Sequence, residues 1–147
     1  MFHYFSNFIV FLALTIVTQI GGVAWLLSRL MKYKLAAFLG IYTGLTVMTL
    51  FIAPIFGRQA IACGSDGALQ VQSWFYCITN RTYVSPELAD VLEDLAHELD
   101  EKHPGTVTLV LDGNFPFLDG FPLLPHLSHD DGEKVDLAFF YKDETGY

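Results

Sequence analysis

Charge is missing from two long stretches of this chain. Between Phe5 and Ser28, and again between Leu35 and Gly57, there is no Asp, Glu, Lys, Arg or His. Each run exceeds the roughly 20 residues needed to cross a hydrocarbon core. With no such group inside either run and Asn7 and Gln19 the only amides there, a proton relay or ion pathway has no candidate group, and anchoring is the role that remains. Acidic residues are absent before Asp66, and basic ones are scarce after it: 16 Asp and Glu stand against Arg81, Lys102, Lys134 and Lys142. So acidic a part is a poor partner for nucleic acid, whose recognition needs clustered Lys and Arg. Cysteine is limited to Cys63 and Cys77.

What is present divides the chain in two. Residues 1–58 read as a transmembrane hairpin with spans at about 5–28 and 35–57, and residues 59–147 as an α+β domain outside the membrane. The connector holds Arg29, Lys32 and Lys34, while the segment before Phe5 has no Lys or Arg. The positive-inside rule therefore puts the connector in the cytoplasm, with the N-terminus and the later domain on the outer, periplasmic side of a cytoplasmic membrane. A cleaved signal peptide fits less well, since the n-region is uncharged and no small-x-small site follows the apolar run. Gly21, Gly22 and Ala24 in the first run, and Gly40 with Gly44 in the second, would let two backbones approach closely; glycine is also simply common in membrane spans. In an oxidising compartment the two cysteines read as a disulfide closing the Gly64–Gly67 turn, the alternative being two idle thiols.

In the outer part, Ser85-Pro86-Glu87 is a helix start, and the helix should run to about Lys102, before Pro104-Gly105. Leu88, Val91, Leu92, Leu95 and Leu99 make its apolar face, and His97 and His103 read as surface residues. Thr106–Leu111 alternates like a strand and Asp112-Gly113-Asn114 turns the chain. Phe115–Pro125 is an aromatic, proline-rich loop that either packs beneath the domain or lines a groove with Phe117, Asp119 and Phe121. Lys134–Tyr141 reads as a second strand, so the sheet should be small and mostly antiparallel. Asp143–Gly146 reads as a turn leading toward a further strand, which suggests a chain continuing beyond Tyr147.

Between loop and last strand lies Leu124-Pro125-His126-Leu127-Ser128-His129-Asp130-Asp131-Gly132-Glu133-Lys134-Val135-Asp136-Leu137. Imidazole and carboxylate are ligand types that Zn²⁺ takes where three protein groups leave a fourth position for water. Ser128-His129-x-x-Gly132-x-x-x-Asp136-Leu137 resembles the signature of the zinc D-alanyl-D-alanine carboxypeptidases and murein endopeptidases. His126 is similar to the histidine standing just before it in the penicillin-insensitive murein endopeptidases. The resemblance implies zinc held by His129 and Asp136, a third ligand, a carboxylate base, and peptidoglycan peptides as substrate. In those families the third histidine and the base follow well downstream, whereas here no histidine follows His129. Either the missing ligand lies beyond Tyr147, or His126 turns inward, or the metal has been lost. Asp119, Asp130, Asp131 and Glu144 are the carboxylates from which a base would come. A non-enzymatic envelope protein, presenting the aromatic loop and acidic helix to a protein partner, is the other reading. The bland account of 128–132 is a polar turn whose histidines are satisfied by backbone.

Overall fold

The structure is a computed structural model and describes residues 2–138, with side chains from Phe5 onward. Its N-terminal part holds α1 (Phe2–Thr18), α2 (Gly21–Ser28) and α3 (Lys34–Ile52), the last continued by a 3-10 turn over Ala53–Phe56. The run expected as a single span is therefore two helices. Helix α1 stops at Thr18, whose hydroxyl donates to Leu14 O (2.7 Å) and accepts from Gly21 N (2.8 Å). Gln19 then takes a left-handed backbone with φ 64°, through which a right-handed helix cannot continue. Helix α2 doubles back on α1, so close that a Cβ on Gly22 would lie 2.8 Å from Phe11 Cδ2, and Ala24 is fully buried. The small residues of the first run thus serve a close approach, but between the two halves of that run. Gly40 and Gly44 do not, since nothing lies within 4 Å of a Cβ at either. Among the described residues, Lys34–Phe56 is the one helix long and apolar enough to cross a membrane.

Helix α3 is covered along one side by the part that follows it. The Tyr42 hydroxyl donates to Ile78 O and accepts from Asn80 Nδ2 (3.1 Å), and the Thr49 and Tyr83 hydroxyls bond each other. Tyr42 and Thr49, seven apart, share a helix face, so residues 78–83 lie beside the middle of α3. Burial raises the Tyr83 phenol pKa, and the Thr49 bond partly offsets that. Leu35, Met48, Phe51 and Ile55 are exposed.

The remainder is α+β. Strand β1 (Gln59–Ala60) pairs antiparallel with β3 (Tyr83–Val84), and β2 (Leu69–Val71) pairs parallel with β4 (Thr108–Val110). Instead of one mostly antiparallel sheet, the described residues form two ladders, one of them parallel. A parallel pair needs a long crossover, which α4 (Trp74–Ile78), β3 and α5 (Pro86–Lys102) supply. The segment expected as the last strand is extended and makes one antiparallel bridge, Val110 to Leu137; its residues 139–141, the 143–146 turn and Glu144 lie outside the described residues.

Helix α5 starts as its sequence requires, with Ser85 Oγ accepting from Leu88 N (3.2 Å) and Pro86 in the first turn. Its inner face differs from the leucine stripe, however. Ala89, Leu92 and Ala96 join Ile61, Leu69, Val84 and Val110 in the core, while Val91 and Leu95 are 59% and 38% exposed. Two alanines let the helix sit close on the strands, with Leu88 and Leu92 still turned to the core and Val91 and Leu95 left outside it. His97 and His103 are on the surface. Cys63 and Cys77 form a disulfide, with Cα atoms 6.2 Å apart.

Candidate metal centre

Asp136 is aimed by the pleat of the segment it sits in. Leu111 N donates to Asp136 O and Asp136 N to Asp112 O, both at 2.8 Å, and Ala138 N donates to Leu109 O at 2.9 Å, which zips 136–138 onto β4. Val135 and Leu137 pack on the core, and side chains alternate along an extended chain, so the Asp136 carboxylate points away from it. The two histidines are brought together by a turn. His129 N donates to His126 O at 3.0 Å, closing an i to i+3 bend that leaves the ring centroids 5.2 Å apart.

The three side chains converge. His126 Nδ1 is 3.1 Å from Asp136 Oδ2, His129 Nε2 is 3.4 Å from Asp136 Oδ1, and one ligand atom of each residue lies within 4.8 Å of the others. Bonds of about 2.0–2.1 Å in a tetrahedral site place neighbouring ligand atoms about 3.3 Å apart; each histidine meets that spacing to a different oxygen of Asp136, so with either oxygen as the ligand atom one edge has the required length and the others must close from within 4.8 Å. The His129 side chain is 7% exposed, while those of His126 and Asp136 are 42% and 32% exposed. The cluster is therefore anchored at His129 and open to solvent on its other side, as a site with a water position must be. His129 Nδ1 lies 3.2 Å from Gly113 O. A carbonyl can only accept, so the Nδ1–H tautomer fits this contact and would leave Nε2, which faces Asp136, free to bind an ion. This His–His–Asp group can hold a metal ion.

The bend is pinned from below. Asn114 Nδ2 donates to Lys134 O (2.8 Å), Asn114 Oδ1 accepts from Gly132 N (3.1 Å), and Gly132 O accepts from Ser85 N (2.8 Å). Gly132 has φ 86°, and the Arg58 guanidinium lies against its Cα. Gly132→Ala meets both obstacles and is expected to lower stability by about 1–3 kcal/mol, read as an earlier urea midpoint with an unchanged slope. Lys134 beside Asp131 holds that carboxyl below its usual pKa.

The loop residues expected at a groove make other contacts. Phe117 stacks edge-on against Phe56, with centroids 5.1 Å apart, and Phe121 stacks likewise on Phe115 at 5.4 Å. Asp119 pairs with Arg58. Gln19 pairs with the Phe117 backbone, accepting from its N–H (3.0 Å) and donating to its carbonyl (3.2 Å). These contacts fasten the loop to the helical part. Of the carboxylates considered as a base, Asp119 is taken by Arg58 and Asp131 by Lys134. Among the described residues Asp130 makes no side-chain hydrogen bond or ion pair. Gly113, whose carbonyl meets His129, and Arg58, which lies against Gly132, stand beside the cluster without having stood out as site residues in the sequence; the Asp112-Gly113-Asn114 turn beside a strand was the one visible sign.

Together these features define an α+β protein with a half-open His–His–Asp centre at a strand edge. No family model, curated protein or solved structure matches the chain. The likeness to the zinc carboxypeptidases and endopeptidases therefore rests on residues 126–137.

Proposed function

We propose that the chain is a membrane-anchored zinc peptidase of the cell envelope, with the metal held by His126, His129 and Asp136 and peptidoglycan peptides as substrate. The observation that carries this reading is the convergence of one ligand atom each from His126, His129 and Asp136 to within 4.8 Å of one another, on a cluster half open to solvent. The chemistry that zinc supplies in such a site is acidification of a bound water and polarisation of the scissile carbonyl. His129 and Asp136 would set the direction of the open position, and the exposed His126 would border the approach of substrate. Anchoring is supported by the apolar helix Lys34–Phe56, and an oxidising outer compartment by the disulfide. Full-length protein purified in detergent should carry one zinc per chain and release D-alanine, or cut crosslinks, from muropeptides. A full-length preparation without zinc that also leaves muropeptides intact rejects the proposal.

One observation favours a second reading, that of a non-enzymatic interaction protein of the envelope. Leu118, Leu124 and Leu127, which flank the site, are 60%, 51% and 61% exposed, an apolar surface suited to a partner. Capture of an envelope partner that survives His129→Ala would support it, and loss of all partners with that change would count against it.

A further inference from the structure

We infer that Arg81 is a positioning residue for the metal centre, which joins the segments bearing all three ligands while touching none of the ligand side chains. The inference rests on the metal reading above. The Arg81 guanidinium is buried and forked: Nε donates to Asp112 Oδ1 at 2.7 Å, and Nη2 donates to Asp112 Oδ2 and, at 2.8 Å, to Leu124 O. Each of these bonds leads to a ligand. Leu124 stands two residues before His126, so the bond to its carbonyl holds the arm that presents His126. Asp112, clamped by its carboxylate, offers its own carbonyl to Asp136 N at 2.8 Å. The main chain of Arg81 supplies the third route: its carbonyl accepts from Gly113 N at 2.9 Å, and the carbonyl of Gly113 meets His129 Nδ1.

A metal site depends on the distances between its ligands, and those distances are set by the outer groups that orient them. Lysine cannot reproduce this arrangement. It has one ammonium where Arg81 has a planar fork that spans both Asp112 oxygens and the Leu124 carbonyl at once. Replacing the whole pair by apolar residues of similar size, Arg81→Met with Asp112→Leu, removes both buried charges together. That change need not destabilise the fold, yet it frees the Leu124 carbonyl and the main chain at position 112 from the guanidinium. Stability and ligand placement are thereby separated.

The test is a Co²⁺ titration of the full-length protein in detergent, followed by the visible absorption of bound cobalt, with thermal unfolding measured in parallel. The Arg81→Met/Asp112→Leu protein should unfold cooperatively but bind Co²⁺ about 10- to 100-fold more weakly, the usual effect of losing an outer partner, with an altered absorption band. Arg81→Lys should lie between it and the wild type. A purely structural role predicts a changed melting temperature with unchanged affinity and band, and that result in a folded variant overturns the inference while leaving the metal reading intact. If the double variant does not fold, unchanged cobalt binding by Arg81→Lys overturns it equally. If the wild type shows no cobalt binding that His129→Ala removes, the metal reading itself fails and takes the inference with it.

Discussion

His129→Ala protein, purified at full length beside the wild type, is expected to contain no zinc where the wild type contains one per chain. Of the three candidate ligands His129 is the one the fold has committed: its side chain is 7% exposed, its Nδ1 faces Gly113 O at 3.2 Å, and its Nε2 faces Asp136. Removing it leaves one imidazole and one carboxylate, both partly exposed, which is too few groups to compete with water for the ion. The loss should exceed the about 10- to 100-fold that follows when only an outer partner is removed. His126→Ala should weaken binding less, because its more exposed ring gives up more to solvent before the metal arrives. Metal analysis after dialysis against a weak chelator reads both variants. Full zinc occupancy in folded His129→Ala protein would place the ion elsewhere in the molecule.

Asp112→Ala is expected to lower stability by about 3–5 kcal/mol, because it leaves the Arg81 guanidinium buried without its counter-charge. Both partners are well shielded, with side chains 8% and 7% exposed, so water cannot replace the lost carboxylate. Adding Arg81→Met to an Asp112→Leu background should recover most of that loss, since no unpaired charge then remains. Urea unfolding of the single and double variants gives the coupling directly. A single variant within about 0.5 kcal/mol of the wild type, the range of an ordinary surface substitution, would show that the pair is not held in the buried geometry described.

Much of the local structure was legible from residue types. Ser85-Pro86 starts α5 because one side chain caps and the other lacks an N–H to satisfy. The cysteines pair across a glycine turn, and Asp136 between Val135 and Leu137 faces away from the core because an extended chain alternates. Other features were hidden, each for a physical reason. The break after Thr18 depends on a threonine hydroxyl bridging Leu14 O and Gly21 N, which no count of apolar residues detects. The inner face of α5 depends on its approach to the strands, so Ala89 and Ala96 join Leu92 in the core while Val91 and Leu95, which periodicity also favoured, are exposed.

For the site the division is sharper. The sequence by itself determined that two imidazoles and a carboxylate fall within eleven positions, 126–136, on a bend followed by an extended segment, because ligand chemistry and backbone period are properties of the residues themselves. Only the tertiary structure decided that His126 is the third member of the cluster and that Gly113 orients His129. It alone placed a buried arginine, Arg81, far away in the chain, in hydrogen bonds to Asp112, Leu124 and Gly113. Those relations are distances between segments remote in sequence, and they exist only once packing around Val84, Leu92 and Val110 has brought the segments together.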